Sequence, residues 1–130
     1  EIEAVTGVQT CALPIFLLFK IGVETFDNEF RNNFLNKNAV FDDYRDVQKY
    51  FDSVCIMVGI KGQTKEMIRK DIDILLNHFS YGTVNIFTEN STNIQRDEAL
   101  ISWFKDEYKF LDDVKKIEVL YENTDFGVGD

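Results

Sequence analysis

Four short stretches concentrate the groups that could do chemistry: Glu24-Thr25-Phe26-Asp27, Gly59 to Thr64 (GIKGQT), Thr88 to Asn93 (TENSTN) and Glu122 to Asp125. Each follows an apolar run. In parallel α/β folds, ligands gather at the carboxyl ends of strands, where loops and helix N-termini converge. Glu24 closes a run that is otherwise apolar, and a carboxylate there costs free energy unless it is paired or faces a ligand. Hydrogen bonding to ribose hydroxyls is one use, and an ion pair with Arg31 or Lys37 is the other. GIKGQT is not a P-loop, because its glycine spacing is wrong and no Lys-Ser/Thr pair follows the second glycine. It is not the three-glycine dinucleotide fingerprint either. Its two glycines let the backbone approach a flat or anionic ligand, or simply make a tight strand-to-helix turn.

The remaining reactive side chains carry less. His78 is the only histidine and falls near a helix end, where capping is its expected role. Cys55 lies inside an apolar strand and reads as a small buried hydrophobe. Trp103 reads as core or interface. No Ser/His/Asp or Cys/His constellation and no set of metal ligands is available, so no catalytic or metal residue is assigned. The formal net charge of −9 argues against nucleic acid as a partner, because binding it needs clustered Lys and Arg.

The elements that must position these groups show in the periodicity. Phe16 to Val23 (FLLFKIGV) and Val54 to Ile60 (VCIMVGI) are continuous apolar runs, as in strands buried on both faces. Thr83 to Phe87 and Ile117 to Tyr121 are two more strands, with Gly82 ending the turn before the third. Short helices are expected over Glu29 to Leu35 and Asp42 to Phe51. A longer one follows Thr64, its N-cap, with Met67, Ile68, Ile72, Leu75, Leu76 and Phe79 on one face. Asp97 to about Phe110 is helical, with Leu100, Phe104, Tyr108 and Leu111 as its buried stripe. Strands alternating with helices make an α/β fold: a parallel sheet of about four strands with crossover helices. Both an open doubly wound sheet and an arc of a β/α barrel fit this pattern.

The first fifteen residues stand apart. Val5 to Phe19 carries no charge, yet it is too short and too interrupted by Thr6, Gln9, Thr10 and Pro14 to span a membrane. Acidic Glu1 and Glu3 precede it, where a secretory signal wants positive charge. Cys11 has no Cys or His at ligand spacing. Val5 to Ile15 (VTGVQTCALPI) resembles translated sequencing-adapter DNA. Residues 1–15 are therefore expected to be artefactual or disordered, and 16–130 to form the folded unit. With two cysteines and no secretion signal, the cytoplasm is the expected compartment.

Three segments together resemble the later strands of radical S-adenosylmethionine (radical SAM) enzymes: KIGVETFD, VCIMVGIKGQTKEMIRKDIDIL and VNIFTENST. In that superfamily a strand ending in Gly-Val-Glu-Ser is followed by a helical region, and then by a strand reading roughly Ile-Gly-Leu-Pro-Gly-Glu-Thr. Lys61 stands here for the usual Pro and Gln63 for the commoner Glu. The cluster-binding Cys-x-x-x-Cys-x-x-Cys motif is absent. The resemblance implies the C-terminal part of a partial β/α (TIM-like) barrel. It implies S-adenosylmethionine (SAM) and an iron–sulfur cluster as cofactors of the full-length protein, with no cluster held by this chain itself. The chemistry implied is reductive cleavage of SAM to a 5′-deoxyadenosyl radical that abstracts a hydrogen from a substrate, a small molecule or a peptide. An electron donor is the implied partner, and neither nucleic acid nor membrane is. By position, Glu24 would meet the cofactor's ribose or amino-acid end. Gly59, Ile60 and Gly62 would belong to the adenine side, and Asn85 and Thr88 are further candidates. Two other readings are a small flavodoxin-like α/β ligand-binding module and an interaction domain built on the Asp97 helix.

Overall fold

The computed structural model describes residues 20–35, 41 and 43–121. Residues 1–15, the Lys37 alternative for Glu24 and the Glu122 to Asp125 stretch lie outside them. Strand β1 (Lys20–Glu24) leads into a single π-helical turn, Phe30–Phe34, and then helix α1 (Tyr44–Gln48). Strand β2 (Ser53–Val58), helix α2 (Lys65–His78) and strand β3 (Tyr81–Ile86) follow. Helix α3 (Glu98–Glu107), a 3₁₀ turn at Lys109–Asp113 and strand β4 (Ile117–Leu120) complete the order. The caps are local and legible. Asp43, Thr64 and Asp97 accept the amides of Arg45, Met67 and Leu100 at 2.8, 3.2 and 2.9 Å.

All strand pairs are parallel, in the order β1-β2-β3-β4. That order decides between the two architectures open to the sequence. Crossovers of one hand joining successive neighbours place every helix on the same side of the sheet. Burial agrees. Val54, Ile56, Val58, Val84 and Ile86 are 0% exposed and share one core with Ile68, Ile72 and Leu75 of α2 and Leu100, Ile101 and Phe104 of α3. The opposite face carries Gly22, Cys55, Met57, Asn85, Glu118 and Leu120, none of them fully buried, together with Ser53 and Thr83, which are buried but polar. One covered face and one open face make an arc of a β/α barrel. A flavodoxin-like module would reverse its strand order and carry helices on both faces.

Several boundaries and roles differ from the sequence reading. Gly82 does not end a turn but lies inside β3, where α2 packs against it: a Cβ there would sit 2.6 Å from Leu75 Cγ and 3.1 Å from Ile117 Cδ1. Only a glycine lets α2 lie this close to the sheet. The Glu29 to Leu35 segment forms a π turn, and α1 is shorter than expected. Cys55 is half-buried on the open face rather than sealed in the core. Met67 leaves the buried stripe, and its sulfur accepts from Thr64 N at 3.4 Å. His78 stacks on Tyr44, with ring centroids 4.2 Å apart.

Candidate functional site

Because the sheet is wholly parallel, Glu24, Gly59 and Thr88 all emerge at one edge. The first corner is built around Glu24. Its φ is +71°, and the amide of Thr25 bonds to Val23 O at 2.8 Å, so Glu24 is the apex of a γ-turn in its rarer, strained form. The turn breaks register between Gly22 and Glu24, and Glu24 comes to pair with Ile56. The carboxylate folds back over Gly22, where a Cβ would lie 3.9 Å from Glu24 Oε2. It thereby reaches the open face, in the row of Gly22 and Cys55.

The residues after Glu24 are pinned. Thr25 Oγ1 donates to Asp71 Oδ2 at 2.7 Å, and Phe26 N donates to Asp71 Oδ1 at 2.8 Å. Thr25 O accepts from Arg31 Nη1 at 2.9 Å. Arg31 is fully buried, donates also to Asn28 Oδ1 and to Phe41 O at 3.1 Å, and lies 4.1 Å from the centre of the Phe41 ring. Asp71 is 1% exposed. Burial raises its pKa to about 7, against the lowering effect of the Phe26 and Thr25 hydrogen bonds.

The second corner is GIKGQT. Gly59 and Gly62 take φ of +105° and +108°. The Gln63 amide staples the loop: Oε1 accepts from Gly59 N at 2.9 Å and Ile60 N at 3.2 Å, and Nε2 donates to Met57 O at 2.9 Å. The chain before α3 closes it from the other side, through Lys61 N to Gln95 O and Asp97 N to Gly59 O. Ile60 is 1% exposed, so its side chain is buried beneath the loop. Gly62 is exposed, and its α-carbon lies against the stacked pair Phe30 and Phe34.

The third strand contributes Asn85, half-buried and paired in register with Met57 and Leu120 on the open face. Thr88 is exposed beyond the strand end. The structure thus gathers Glu24, Gly59, Gly62, Asn85 and Thr88 at one end of the sheet, with Glu24 and Asn85 presented on its open face. Cys55 lies there too, and burial raises its thiol pKa. A hollow of about 410 Å³, lined in part by Lys20, Ser53, Tyr81 and Glu118, sits at the opposite end, where such folds keep structural rather than catalytic residues.

No protein-family model and no curated protein matches the chain. A solved structure does: a queuine lyase from Clostridium spiroforme bound to SAM and queuine, 51% identical, with a TM-score of 0.87 over 98% of this chain. That lyase is a radical SAM enzyme. The chain belongs to the radical SAM superfamily. It spans 55% of the length of the lyase chain. The four-stranded sheet is an arc of the radical SAM barrel, its open face the one that carries Glu24 and Asn85.

The two cofactors of radical SAM enzymes fit this chain differently. SAM needs hydrogen-bond acceptors for ribose hydroxyls and close backbone for a flat base, and the Glu24 and Gly62 corners offer both. A cluster needs several thiolates. Among the described residues Cys55 is the only cysteine, and no group of three or more His, Cys, Asp or Glu is placed to hold a metal. No helix among the described residues is long and apolar enough to cross a membrane.

Asp71 is the residue that sequence reasoning missed, and Gln63, read there only as a motif position, proves to be the staple of its loop. Asp71 had a signal: it falls three residues after Ile68 and one before Ile72, on the face of α2 that turns inward. A carboxylate in an apolar stripe is there for a partner.

Proposed function

We propose that the protein to which this chain belongs is a queuine lyase, and that the chain forms the wall of its barrel that holds SAM and faces the substrate. The identity of 51% over 98% of the chain, to a lyase bound to SAM and queuine, carries this reading. The Glu24 carboxylate accepts hydrogen bonds from the ribose hydroxyls of SAM. Gly62, with no side chain, lets the GIKGQT backbone lie against the adenine. Asn85 and Met57, neighbours on the open face, contribute to the substrate side. Thr88 borders the mouth. When bound and reduced by an iron–sulfur cluster held outside the described residues, SAM supplies a 5′-deoxyadenosyl radical for hydrogen abstraction. The chain's own part is to orient the cofactor and exclude water from it.

The test uses the full-length protein, reconstituted anaerobically with iron and sulfide and given SAM, a reductant and queuine. The expected result is 5′-deoxyadenosine formation that depends on queuine, with loss of queuine. SAM cleavage with queuine untouched would assign a different substrate. A colourless protein that leaves SAM intact would overturn the reading.

A further inference from the structure

Glu24 holds a backbone conformation that a glutamate does not choose. A left-handed φ costs a non-glycine residue about 1–2 kcal/mol. Such strain persists only where the surroundings over-determine it, and at this corner the restraint comes from a different element. Asp71 lies on α2, 46 residues along the chain from Thr25. Its two carboxylate oxygens take one donor each: the hydroxyl of Thr25 and the amide of Phe26, the two residues that follow Glu24. The Thr25 hydroxyl in turn accepts from Asp27 N at 3.1 Å. The far side of the Thr25 peptide is taken by Arg31. The chain leaving the γ-turn is therefore fixed on both sides of Thr25, and the turn cannot flatten into an extended strand without breaking these bonds.

We propose that Asp71 is a positioning residue for SAM binding: by holding Thr25 and Phe26 it keeps Glu24 at the apex of its turn, with the carboxylate over Gly22 on the open face. This rests on the reading that Glu24 meets SAM. The geometry argues for more than core filling. The same helix begins directly after GIKGQT, with Thr64 as its N-cap. Asp71 thus ties the Glu24 corner to the element that carries the other SAM-facing corner, and it sets the distance between the two. A residue that only filled space would bond within its own helix or to one neighbour. Asp71 spends both oxygens on the two residues next to Glu24.

Asn at this position can keep the arrangement. Its Oδ1 accepts from the Phe26 amide, and its Nδ2 donates to the Thr25 hydroxyl, which has acceptor capacity left. Val, of similar width, keeps neither bond. The experiment measures SAM affinity by equilibrium binding to the full-length holoenzyme, alongside a thermal melt. Asp71→Val is expected to weaken SAM binding about tenfold, the equivalent of one lost hydrogen bond, with Asp71→Asn within about threefold of wild type. In a Glu24→Ala background, Asp71→Val should add nothing, because the residue it works through is gone. Should Asp71→Val fail to fold, Thr25→Val removes one of the two bonds and is expected to weaken binding about threefold. Undiminished affinity in folded Asp71→Val or Thr25→Val, or a loss that adds fully to that of Glu24→Ala, overturns the proposal. A crystal structure of the variant gives a readout independent of SAM: Glu24 still at positive φ overturns the latch. Unchanged affinity in Glu24→Ala alone overturns instead the underlying reading of the site.

Discussion

The two corners proposed to face the cofactor solve one problem in opposite ways. At GIKGQT the chain needs left-handed backbone, and glycine supplies it at both positions. The loop is then held by a side chain three or four residues away, and by backbone bonds to the chain ahead of α3. At the end of β1 the same kind of backbone is forced on a glutamate, and the restraint is remote, from Asp71 on another element. The difference follows from what each corner presents. GIKGQT presents backbone, so a residue without a side chain serves. The β1 corner presents a carboxylate, so the strain is accepted and a buried acid holds it. Four substitutions or conditions separate these designs.

The largest effect is expected at Gly59. A Cβ there would stand 2.4 Å from Ile101 Cγ1, on top of the unfavourable φ. Gly59→Ala should cost about 3–4 kcal/mol, the sum of left-handed strain and overpacking. Gly62→Ala shares the φ but would meet Phe30 Cε1 at 3.3 Å, near the edge of an exposed stack. Its cost should be about 1–2 kcal/mol, from backbone strain alone. Denaturant unfolding of the two variants measures the contrast. Equal losses would show that backbone strain, and not the approach of α3, dominates at GIKGQT.

The second effect belongs to the β1 corner and is read in pH. The Asp71 carboxyl titrates near 3.8 in an unfolded chain and at about 7 in the folded one. Between those values the folded state holds a proton that the unfolded state has lost. Stability from this group is therefore complete below about pH 4 and falls as pH rises toward 7, by roughly 1 kcal/mol per unit. Nearby Asp27 widens the pH window by raising this pKa further, and Lys70 narrows it. Asp71→Asn removes the titration. The stability difference between wild type and Asp71→Asn, measured from pH 4.5 to 7.5, should drift steadily against wild type. A flat difference would mean that the Thr25 and Phe26 bonds hold the anion at its ordinary pKa.

Much of this was legible beforehand, for identifiable reasons. The four strands and the two longer helices follow from apolar runs and a 3.6-residue stripe, because burial on one face leaves a periodic record. The edge at which Glu24, Gly59, Asn85 and Thr88 gather followed from parallel strands alone. Strand order did not, since periodicity is the same in a barrel and in a doubly wound sheet. Gly82 looked like punctuation because a glycine admitted for close helix packing has the same letter as one that turns a chain. Asp71 stayed hidden because its partners are a hydroxyl and an amide 46 and 45 residues away.

The third effect tests the local staple. Gln63 uses its carbonyl oxygen for two amides and its nitrogen for Met57 O. A glutamate keeps the two acceptances and loses the donation, setting a carboxylate against a carbonyl at a site that is 6% exposed. Gln63→Glu should cost about 2 kcal/mol at neutral pH. Most of that should return in acid, where a protonated carboxyl can donate to Met57 O. A loss that persists unchanged into acid would place the damage in packing rather than in the missing donor.

The smallest effect isolates the strain itself. In an ordinary strand, glycine is less stable than alanine, because it gives up more backbone freedom on folding. At position 24 the order should invert. Both Glu24→Ala and Glu24→Gly delete the carboxylate and should weaken SAM binding alike. Only glycine accepts a φ of +71° without penalty. Glu24→Gly is therefore expected to be more stable than Glu24→Ala by about 1 kcal/mol, the left-handed penalty less the entropy of the freer chain. Paired thermal melts of the two variants decide it. Alanine equal to or better than glycine would mean that the corner relaxes once the carboxylate is gone, and that the carboxylate, rather than Asp71, had been holding the turn.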